Sequence, residues 1–267
     1  MVRESAVAGK FYPANPKTLR TDVNSYLSPA RERVAAIGCI VPHAGYMYSG
    51  QVAGAVFSAI DIPSRCIILC PNHTGRGHPL SIMAEGKWRT PLGEVVIDSE
   101  LAAGLLRSYS ALTDDSAAHQ FEHAIEVELP FLQTLCSAVR IVPIAVGTGR
   151  LPLLDRLGQA LAAAVQSSAE PVLIIASSDM NHYEDDASTR VKDRKAIDKI
   201  LALDPQGLYE TVMAESISMC GFGPAVAMLT AAKLLSAKKA ELVQYATSGD
   251  VSGDKDMVVG YAGIVVS

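Results

Sequence analysis

The feature that most constrains the fold is an alternation of short apolar runs, rich in β-branched residues, with segments of helical periodicity. Strands and helices that alternate in this way form a mostly parallel sheet with helices on both faces, so the sequence predicts an α/β fold. The predicted strands are Ala35–Pro42, Cys66–Pro71, Val139–Gly147, Pro171–Ser178, Leu242–Thr247 and Val258–Val266. The predicted helices are Gln51–Ile60, Ser99–Ser108, Ala124–Ala138, Leu151–Val165, Ala187–Leu203, Pro205–Glu215 and Pro224–Leu235.

One stretch, Leu80–Asp98, departs from the alternation, because Thr90-Pro91-Leu92-Gly93 is typical of a turn between two antiparallel strands. The 267 residues contain no shift in composition, no long polar linker and no internal repeat. Apolar residues make up 49% of the chain, which is enough to bury a full core. We therefore expect a single domain over residues 1–267.

Charge and hydropathy exclude several classes of partner. The net charge is −5 and there is no run of five like charges, which argues against nucleic acid. The longest apolar stretches, such as Ala35–Val41, are far shorter than the roughly 18 residues that span a bilayer, and the N-terminus lacks the apolar region of a secretory signal. The five cysteines are odd in number and lie mostly in apolar segments, which favours reduced thiols in a cytoplasm.

Polar side chains follow five of the predicted strands at the points where those strands end. In open α/β sheets, ligands bind outside the carboxyl ends of the strands, so we expect these side chains to converge on one edge of the sheet. They are His43, Asn72, His73, Thr148, Asp179, Asn181, His182, Ser248 and Asp250.

Two histidines form the first candidate metal site. His43 follows one strand and opens a turn bracketed by glycines, and His73 follows another strand, so their imidazoles can lie close enough to share a metal ion. Taken singly, each histidine is as typical of a structural strand-to-helix turn as of a metal site. The pair favours metal binding.

Cys220 differs from the other four cysteines, which lie in predicted strand or helix cores. It stands just before a helix that opens with Pro224. The positive end of the helix dipole lowers the pKa of a thiol placed there and makes it a better metal ligand or nucleophile. We therefore expect Cys220 to be a functional thiol with a lowered pKa.

Two further groups of residues carry acid–base chemistry. Asp179 and His182 are three residues apart in one loop, where a carboxylate can orient an imidazole for general acid–base catalysis, or simply cap the following turn. Glu122, His123 and Glu126 open a predicted helix, with His123 and Glu126 on one face. The latter group is either part of a metal site or the ordinary acidic first turn of an amphipathic helix.

Several motifs together resemble the Memo family over effectively the whole chain from Ala8. They are Ala8-Gly9-Lys10-Phe11-Tyr12-Pro13, Pro42-His43-Ala44-Gly45-Tyr46 with Tyr48-Ser49-Gly50, Pro71-Asn72-His73, Glu122-His123 with Leu129-Pro130-Phe131, Ser177-Ser178-Asp179 with His182-Tyr183, Cys220-Gly221, and Gly260-Tyr261-Ala262. Memo proteins are similar in fold to the class III extradiol ring-cleaving dioxygenases, in which two histidines and a glutamate hold non-haem Fe(II) and a further histidine is the acid–base group.

Carried over to this chain, the resemblance implies that His43 and His73 are metal ligands and that His182 is the acid–base group, with Asp179 beside it. Cys220 takes the place of the glutamate ligand, and because a thiolate is softer than a carboxylate, ring cleavage is not inherited with the fold. The resemblance also implies, in prokaryotes, an association with a radical-SAM protein and an AMMECR-type protein. The residues expected around the metal are Tyr48, Asn72, Glu122, His123 and Ser178.

These observations leave two main functions open. The first is a redox-active non-haem metalloenzyme of unassigned substrate, with one ion of iron or copper, or else zinc. The second is a non-catalytic module that uses the same cleft to bind a peptide or small molecule, or to carry copper or iron to a partner. A hydrolase that uses a zinc-bound water is a third.

Overall fold

The computed structural model describes residues 1–28 and 32–267. The strands in these residues are β1 (Val2–Arg3), β2 (Gly38–Val41), β3 (Arg65–Pro71), β4 (Leu80–Ile82), β5 (Lys87–Thr90), β6 (Gly93–Ile97), β7 (Thr113–Asp114), β8 (Arg140–Val146), β9 (Val172–Ser177), β10 (His182–Glu184), β11 (Ala240–Thr247) and β12 (Val258–Val266). The α-helices in the same residues are α1 (Pro16–Tyr26), α2 (Tyr46–Ala59), α3 (Ser99–Ser108), α4 (Ala124–Leu135), α5 (Leu151–Ser167), α6 (Asp186–Leu201), α7 (Pro205–Ala214), α8 (Phe222–Leu234) and α9 (Gly249–Ser252).

The strands form one mixed sheet whose centre is parallel. Strands β6, β8, β3, β9 and β2 lie side by side in that order and run in the same direction. Beyond β2, strand β12 is antiparallel and in turn pairs with β11 and β10. At the other edge, β5 and β6 form the predicted antiparallel hairpin, and β4 pairs with β8. The prediction of a mostly parallel α/β sheet is confirmed.

The core lies in two layers, one on each face of the sheet. All seven residues of β3 are buried, as expected for a central strand covered on both sides. Ile67 and Leu69 belong to the core cluster that contains residues of α3, α5 and α8, on one face. Cys66, Ile68 and Cys70 alternate with them and belong to the cluster that contains residues of α1, α2 and α4, on the other face. The predicted helices on both faces are therefore confirmed.

Helix α1 was not predicted from the sequence, although its start carries a clear signal. The Asn15 side chain accepts hydrogen bonds from the backbone N–H groups of Lys17 and Thr18, and Pro16 is the first helical residue. Leu19 and Val23, four residues apart, are the buried positions of the helix. An Asn-Pro pair followed by this spacing is sufficient to indicate a helix start.

Helix α2 begins at Tyr46, five residues before the predicted start at Gln51. The glycine at position 50 suggested a turn, but its role in the structure is to allow close packing. A Cβ atom on Gly50 would lie 2.7 Å from the Tyr26 ring, so the helix carries glycine there in order to approach α1. Helix α4 is shorter than predicted, ending at Leu135, because Cys136 adopts an extended backbone.

The parallel register brings the ends of the central strands to one edge of the sheet. Val41 of β2 is aligned with Ser177 of β9, and Leu69 of β3 is aligned with Ala176 of β9. The residues that follow these strands therefore lie close together at the carboxyl edge of the sheet, and this edge carries the candidate site. Among the described residues, none of the helices combines the length and the apolar character needed to cross a membrane.

Candidate metal centre

Three imidazoles meet at the carboxyl edge of the sheet. His43 follows β2, His73 follows β3, and His123 directly precedes α4. One ring nitrogen from each lies within 4.8 Å of the others, which is close enough for all three to bind a single ion. The ring centroids are 5.2 Å apart for His43 and His73, 5.5 Å for His43 and His123, and 4.7 Å for His73 and His123.

The His43 ring is almost fully buried and fixed by hydrogen bonds. Its Nδ1 atom lies 2.8 Å from the Ser177 hydroxyl, and its backbone N–H donates to Asp179 Oδ1 over 2.8 Å. Burial lowers the pKa of His43 well below its ordinary value, and the positive charge of the neighbouring histidines lowers it further. The ring is therefore neutral near pH 7, with Nε2 available as a ligand.

His73 is held by the buried carboxylate of Glu122. Its backbone N–H donates to Glu122 Oε2 over 2.6 Å, and its Nδ1 atom lies 2.9 Å from Oε1. Burial acts to lower the pKa of His73, but the hydrogen bond and charge of Glu122 outweigh it and the pKa is raised. A carboxylate on Nδ1 is the usual support of a metal-binding histidine, because it directs Nε2 towards the ion.

Glu122 also positions His123. Its Oε1 atom accepts the backbone N–H groups of His123 and Ala124, at 2.9 and 3.0 Å, which are free at the start of α4. Burial acts to raise the pKa of Glu122, but the hydrogen bond and charge of His73 and the backbone N–H groups outweigh it and the pKa is lowered. The carboxylate is therefore ionised, and it fixes two of the three imidazole-bearing residues.

His123 is the third histidine of the cluster. From the sequence it was expected only among the residues around the metal. It stacks on His73 with an interplanar angle of 21° and meets the edge of the Phe11 ring at 4.8 Å. Burial lowers the pKa of His123, which favours the neutral ring. Linear spacing could not reveal this arrangement, because it depends on how the start of α4 packs over the strand ends.

Cys220 lies next to His43, with Sγ 3.4 Å from Nε2. It precedes Gly221, the residue before α8, and a Cβ atom on Gly221 would lie only 2.3 Å from the Ser177 carbonyl oxygen. The glycine therefore allows the backbone to pack against the end of β9 and carry the thiol to the site. The Sγ atom also accepts the backbone N–H of Asp179 over 3.3 Å.

The prediction of a lowered pKa for Cys220 was wrong. Burial raises the pKa of this thiol, and the negative charge of Asp179 raises it further. These effects outweigh the hydrogen bonds from the Asp179 N–H and Ser178, which act to lower the pKa. The thiol is protonated without a metal ion, and coordination would be needed to remove its proton.

Asp179 and His182 are both in the same cavity but do not form the expected hydrogen-bonded pair. His182 lies in β10, which pairs with β12, and its backbone N–H and Nδ1 atom contact Ser218 Oγ and the Ser218 carbonyl at 2.7 and 3.0 Å. Asp179 instead accepts the His43 N–H. Burial raises the pKa of Asp179 to about 7 and lowers that of His182.

The remaining predicted residues support the loops around the site. The Asn72 side chain donates to the Arg76 carbonyl and accepts from Thr74 and Gly75, so it stabilises the loop after β3. The Ser178 hydroxyl donates to the Asp179 carbonyl and accepts from Gly221 N–H. Tyr48 is half-buried in α2, outside the residues that line the cavity.

Three candidate residues from the sequence have partners outside the cluster of histidines. They are Thr148, Asp250 and Glu126. The Thr148 hydroxyl accepts the Arg150 N–H, and Asp250 forms an ion pair with Arg190. Glu126 does not join His123, because it is buried in an ion pair with Arg3 and accepts the Tyr12 hydroxyl. Arg3 also donates to the carbonyl groups of His119 and Glu122, so the N-terminal segment is attached to the start of α4.

The histidines open into a cavity of about 590 Å³. Several residues that line it were not singled out from the sequence, namely Phe11, Ser218, Tyr183, Val259 and Tyr261. Phe11, Tyr183 and Tyr261 lie within the motifs quoted above. Tyr183 is 70% exposed with a positive φ of 61°, so its ring stands at the rim.

The fold and site define an α/β protein with a histidine-rich cavity at the carboxyl edge of its sheet. A family model described as Memo-like protein matches residues 3–265. MEMO1 family proteins from Methanopyrus kandleri and Methanosarcina mazei are 42% and 43% identical to the chain, and each alignment covers 99% of both sequences. The chain therefore belongs to the Memo family.

A solved structure supports the fold. The crystal structure of an uncharacterized protein from Escherichia coli K12 is similar with a TM-score of 0.53 and 12% sequence identity. The match covers 84% of this chain and 98% of that one. At this identity the likeness extends to the α/β architecture alone.

Proposed function

We propose that the cavity binds one metal ion through His43, His73 and His123, with the Cys220 thiol as a further ligand beside His43. The observation that carries the proposal is the approach of the three ring nitrogens to within 4.8 Å of one another. The Nδ1 atoms of His43 and His73 already have hydrogen-bond partners, which leaves their Nε2 atoms for the ion.

The donor set fits iron, copper or zinc. Imidazole suits all three metals, and a thiol favours the softer ones, including Cu(I) and Zn(II). In the metal-free protein the lowered pKa values of His43 and His123 favour neutral imidazoles, which need lose no positive charge before binding. Cys220 stands where the family resemblance puts a ligand, and its proton would be released on coordination.

We further propose a redox-active metalloenzyme in which Asp179 and His182 transfer protons. The metal would supply the redox chemistry, and the chain would hold the substrate and move protons. A buried carboxyl with a pKa of about 7 is matched to acid–base work at neutral pH, and both residues line the cavity. The rings of Phe11, Tyr183 and Tyr261 would pack against a small molecule.

The test is metal analysis of protein purified anaerobically, followed by titration of the metal-free protein with Fe(II), Cu(I) and Zn(II). His43→Ala, His73→Ala, His123→Ala and Cys220→Ala should each weaken binding of at least one metal. The matched controls are His78→Ala, on an exposed loop, and Cys136→Ala, which lies outside the cavity lining. Variants that bind every metal as the wild type does would overturn the assignment of the ligands.

A second function, metal carriage or peptide binding without catalysis, is favoured by the accessibility of His73. Its side chain is 33% exposed at the open side of the site, where a partner protein could receive the ion. A radical-SAM or AMMECR-type protein is the partner that the family resemblance suggests. Consumption of O₂ by the metal-loaded protein with a catechol would support the enzyme. Metal transfer to a partner without turnover would support carriage.

A further inference from the structure

Helix α4 buries a second carboxyl group, that of Glu128, which has no role in the metal site proposed above. The side chain is fully buried, and neither carboxyl oxygen has a hydrogen-bond partner of normal geometry among the described residues. Glu126, two residues earlier, is just as buried but is paired with Arg3 and Tyr12. A buried carboxyl without a partner is costly, so its presence in a core calls for a reason.

Among the described residues, the polar groups that act on the Glu128 carboxyl are the hydroxyl of Ser177 and the charge of Asp179. The nearby thiols of Cys39, Cys66 and Cys70 are weak hydrogen-bond donors, and the Tyr46 hydroxyl already donates to the Val127 carbonyl. Asp179 acts on Glu128 through its negative charge and accepts the His43 N–H. The hydroxyl of Ser177, at the end of β9, interacts with the Glu128 carboxyl as a donor.

Ser177 is the residue that touches His43, with its hydroxyl oxygen 2.8 Å from Nδ1. If Nε2 of His43 binds a metal ion, Nδ1 must carry the proton and donate it to the Ser177 oxygen. The hydroxyl hydrogen of Ser177 must then point elsewhere. In a fully buried site it needs an acceptor, and a carboxyl oxygen accepts whether Glu128 is neutral or ionised.

We propose that Glu128 is a positioning residue that accepts the Ser177 hydroxyl and thereby holds His43 in the tautomer that binds metal through Nε2. This inference rests on the proposed metal site and extends it by one layer, from His43 through Ser177 to the carboxyl in α4. Glu122 holds His73 in the same way but by direct contact. Each of these imidazoles would thus depend on a carboxyl of the same chain segment.

The experiment compares Glu128→Met, Glu128→Gln and Ser177→Ala, together with the double variant of Glu128→Met and Ser177→Ala. Methionine removes the acceptor at similar volume, whereas glutamine keeps a carbonyl oxygen. Affinity for Zn²⁺ alone is measured by competition with a chromophoric chelator. The tautomer of His43 is read in the metal-free protein from ¹⁵N chemical shifts of the ring. Leu132→Ala, a buried change one turn further along α4, is the control for loss of stability alone.

We expect Glu128→Met and Ser177→Ala each to weaken Zn²⁺ binding by about 10- to 100-fold, as is usual for groups that support a metal ligand. The double variant should be no weaker than the single ones, because both act on the same hydrogen bond. Glu128→Gln should restore most of the affinity, and Leu132→Ala should retain it. The His43 ring of Glu128→Met should shift towards the tautomer with the proton on Nε2.

Wild-type affinity and an unchanged His43 tautomer in Glu128→Met would overturn the inference, as would losses that add in the double variant. If Glu128→Met does not fold, Glu128→Gln is compared with Ser177→Ala instead. An equal loss of Zn²⁺ affinity in these two variants would contradict the role of Glu128 as an acceptor. If the wild type binds none of Fe(II), Cu(I) and Zn(II), the proposed metal site fails. The tautomer measurement then still tests the link between Glu128 and His43.

Discussion

Replacing Glu122 by glutamine is the most informative single perturbation, because this side chain accepts four hydrogen bonds at the site. Three of them, from His73 Nδ1 and from the N–H groups of His123 and Ala124, end on Oε1, and the fourth, from the His73 N–H, ends on Oε2. Glutamine can keep its oxygen at the Oε1 position. Its NH₂ group then faces the His73 N–H, so one buried donor loses its acceptor.

The expected cost follows from this geometry. A hydrogen bond to a charged group contributes about 1.5–3 kcal/mol, and a buried donor left without an acceptor costs about 1–3 kcal/mol. Because these effects overlap, we expect Glu122→Gln to lower the free energy of unfolding of the metal-free protein by about 2–4 kcal/mol at pH 7. Glu100→Gln, at an exposed side chain of α3, should change it by less than about 0.5 kcal/mol.

The pH dependence gives a second readout from the same pair of proteins. The pKa of Glu122 in the folded protein is below its ordinary value of 4.5, so the ionised form contributes stability above pH 4.5. That contribution is lost as the pH falls through the lowered pKa, where the protonated carboxyl resembles glutamine. Urea unfolding followed by circular dichroism should therefore show the two proteins converging in acid. A difference below about 0.5 kcal/mol at pH 7, or one that does not narrow, would refute the reasoning.

Three further predictions test the site. Gly221→Ala should lower the free energy of unfolding, measured in urea, by about 1–3 kcal/mol, because its Cβ would overlap the end of β9. Gly104→Ala, on α3, should be neutral or stabilising, because the nearest atom to its Cβ is Arg107 Nη2 at 4.0 Å. If the protein is an enzyme, His182→Ala should keep the bound metal but lose about 10²–10⁴-fold in turnover, and equal loss of metal would instead make His182 a ligand. Chelation should leave the far-ultraviolet circular dichroism intact, because a core of this size folds without a metal, and loss of the signal would identify a structural ion.

The sequence was sufficient to predict the fold and the edge of the sheet that carries the candidate site. Strand ends are local features, and the rule that ligands bind at the carboxyl ends of parallel strands needs only the order of the elements. His43 and His73 could therefore be proposed as neighbours without a structure, and their rings are 5.2 Å apart. Helix α1 could also have been predicted, from Asn15 and Pro16.

The rest depended on packing that no linear pattern contains. His123 joins the imidazoles because Arg3 and Glu122 hold the segment before α4 over the strand ends. His182 and Asp179 do not hydrogen-bond to each other, because β10 pairs with β12 and the His182 ring is turned towards Ser218. The raised pKa of Cys220 reflects burial and the charge of Asp179, which are properties of the folded surroundings that the position before a helix does not reveal.

The attachment of Arg3 to the start of α4 also bears on the order in which the molecule assembles. Arg3 and Glu126 are separated by 123 positions, so their ion pair closes a very long loop and forms only after the intervening strands are in place. Arg3 leaves the ribosome before α4 does, yet it can be fixed in the structure only once α4 has formed. During synthesis Arg3 must remain hydrated until α4 arrives, and until then the imidazole of His123 has no fixed place beside the other two.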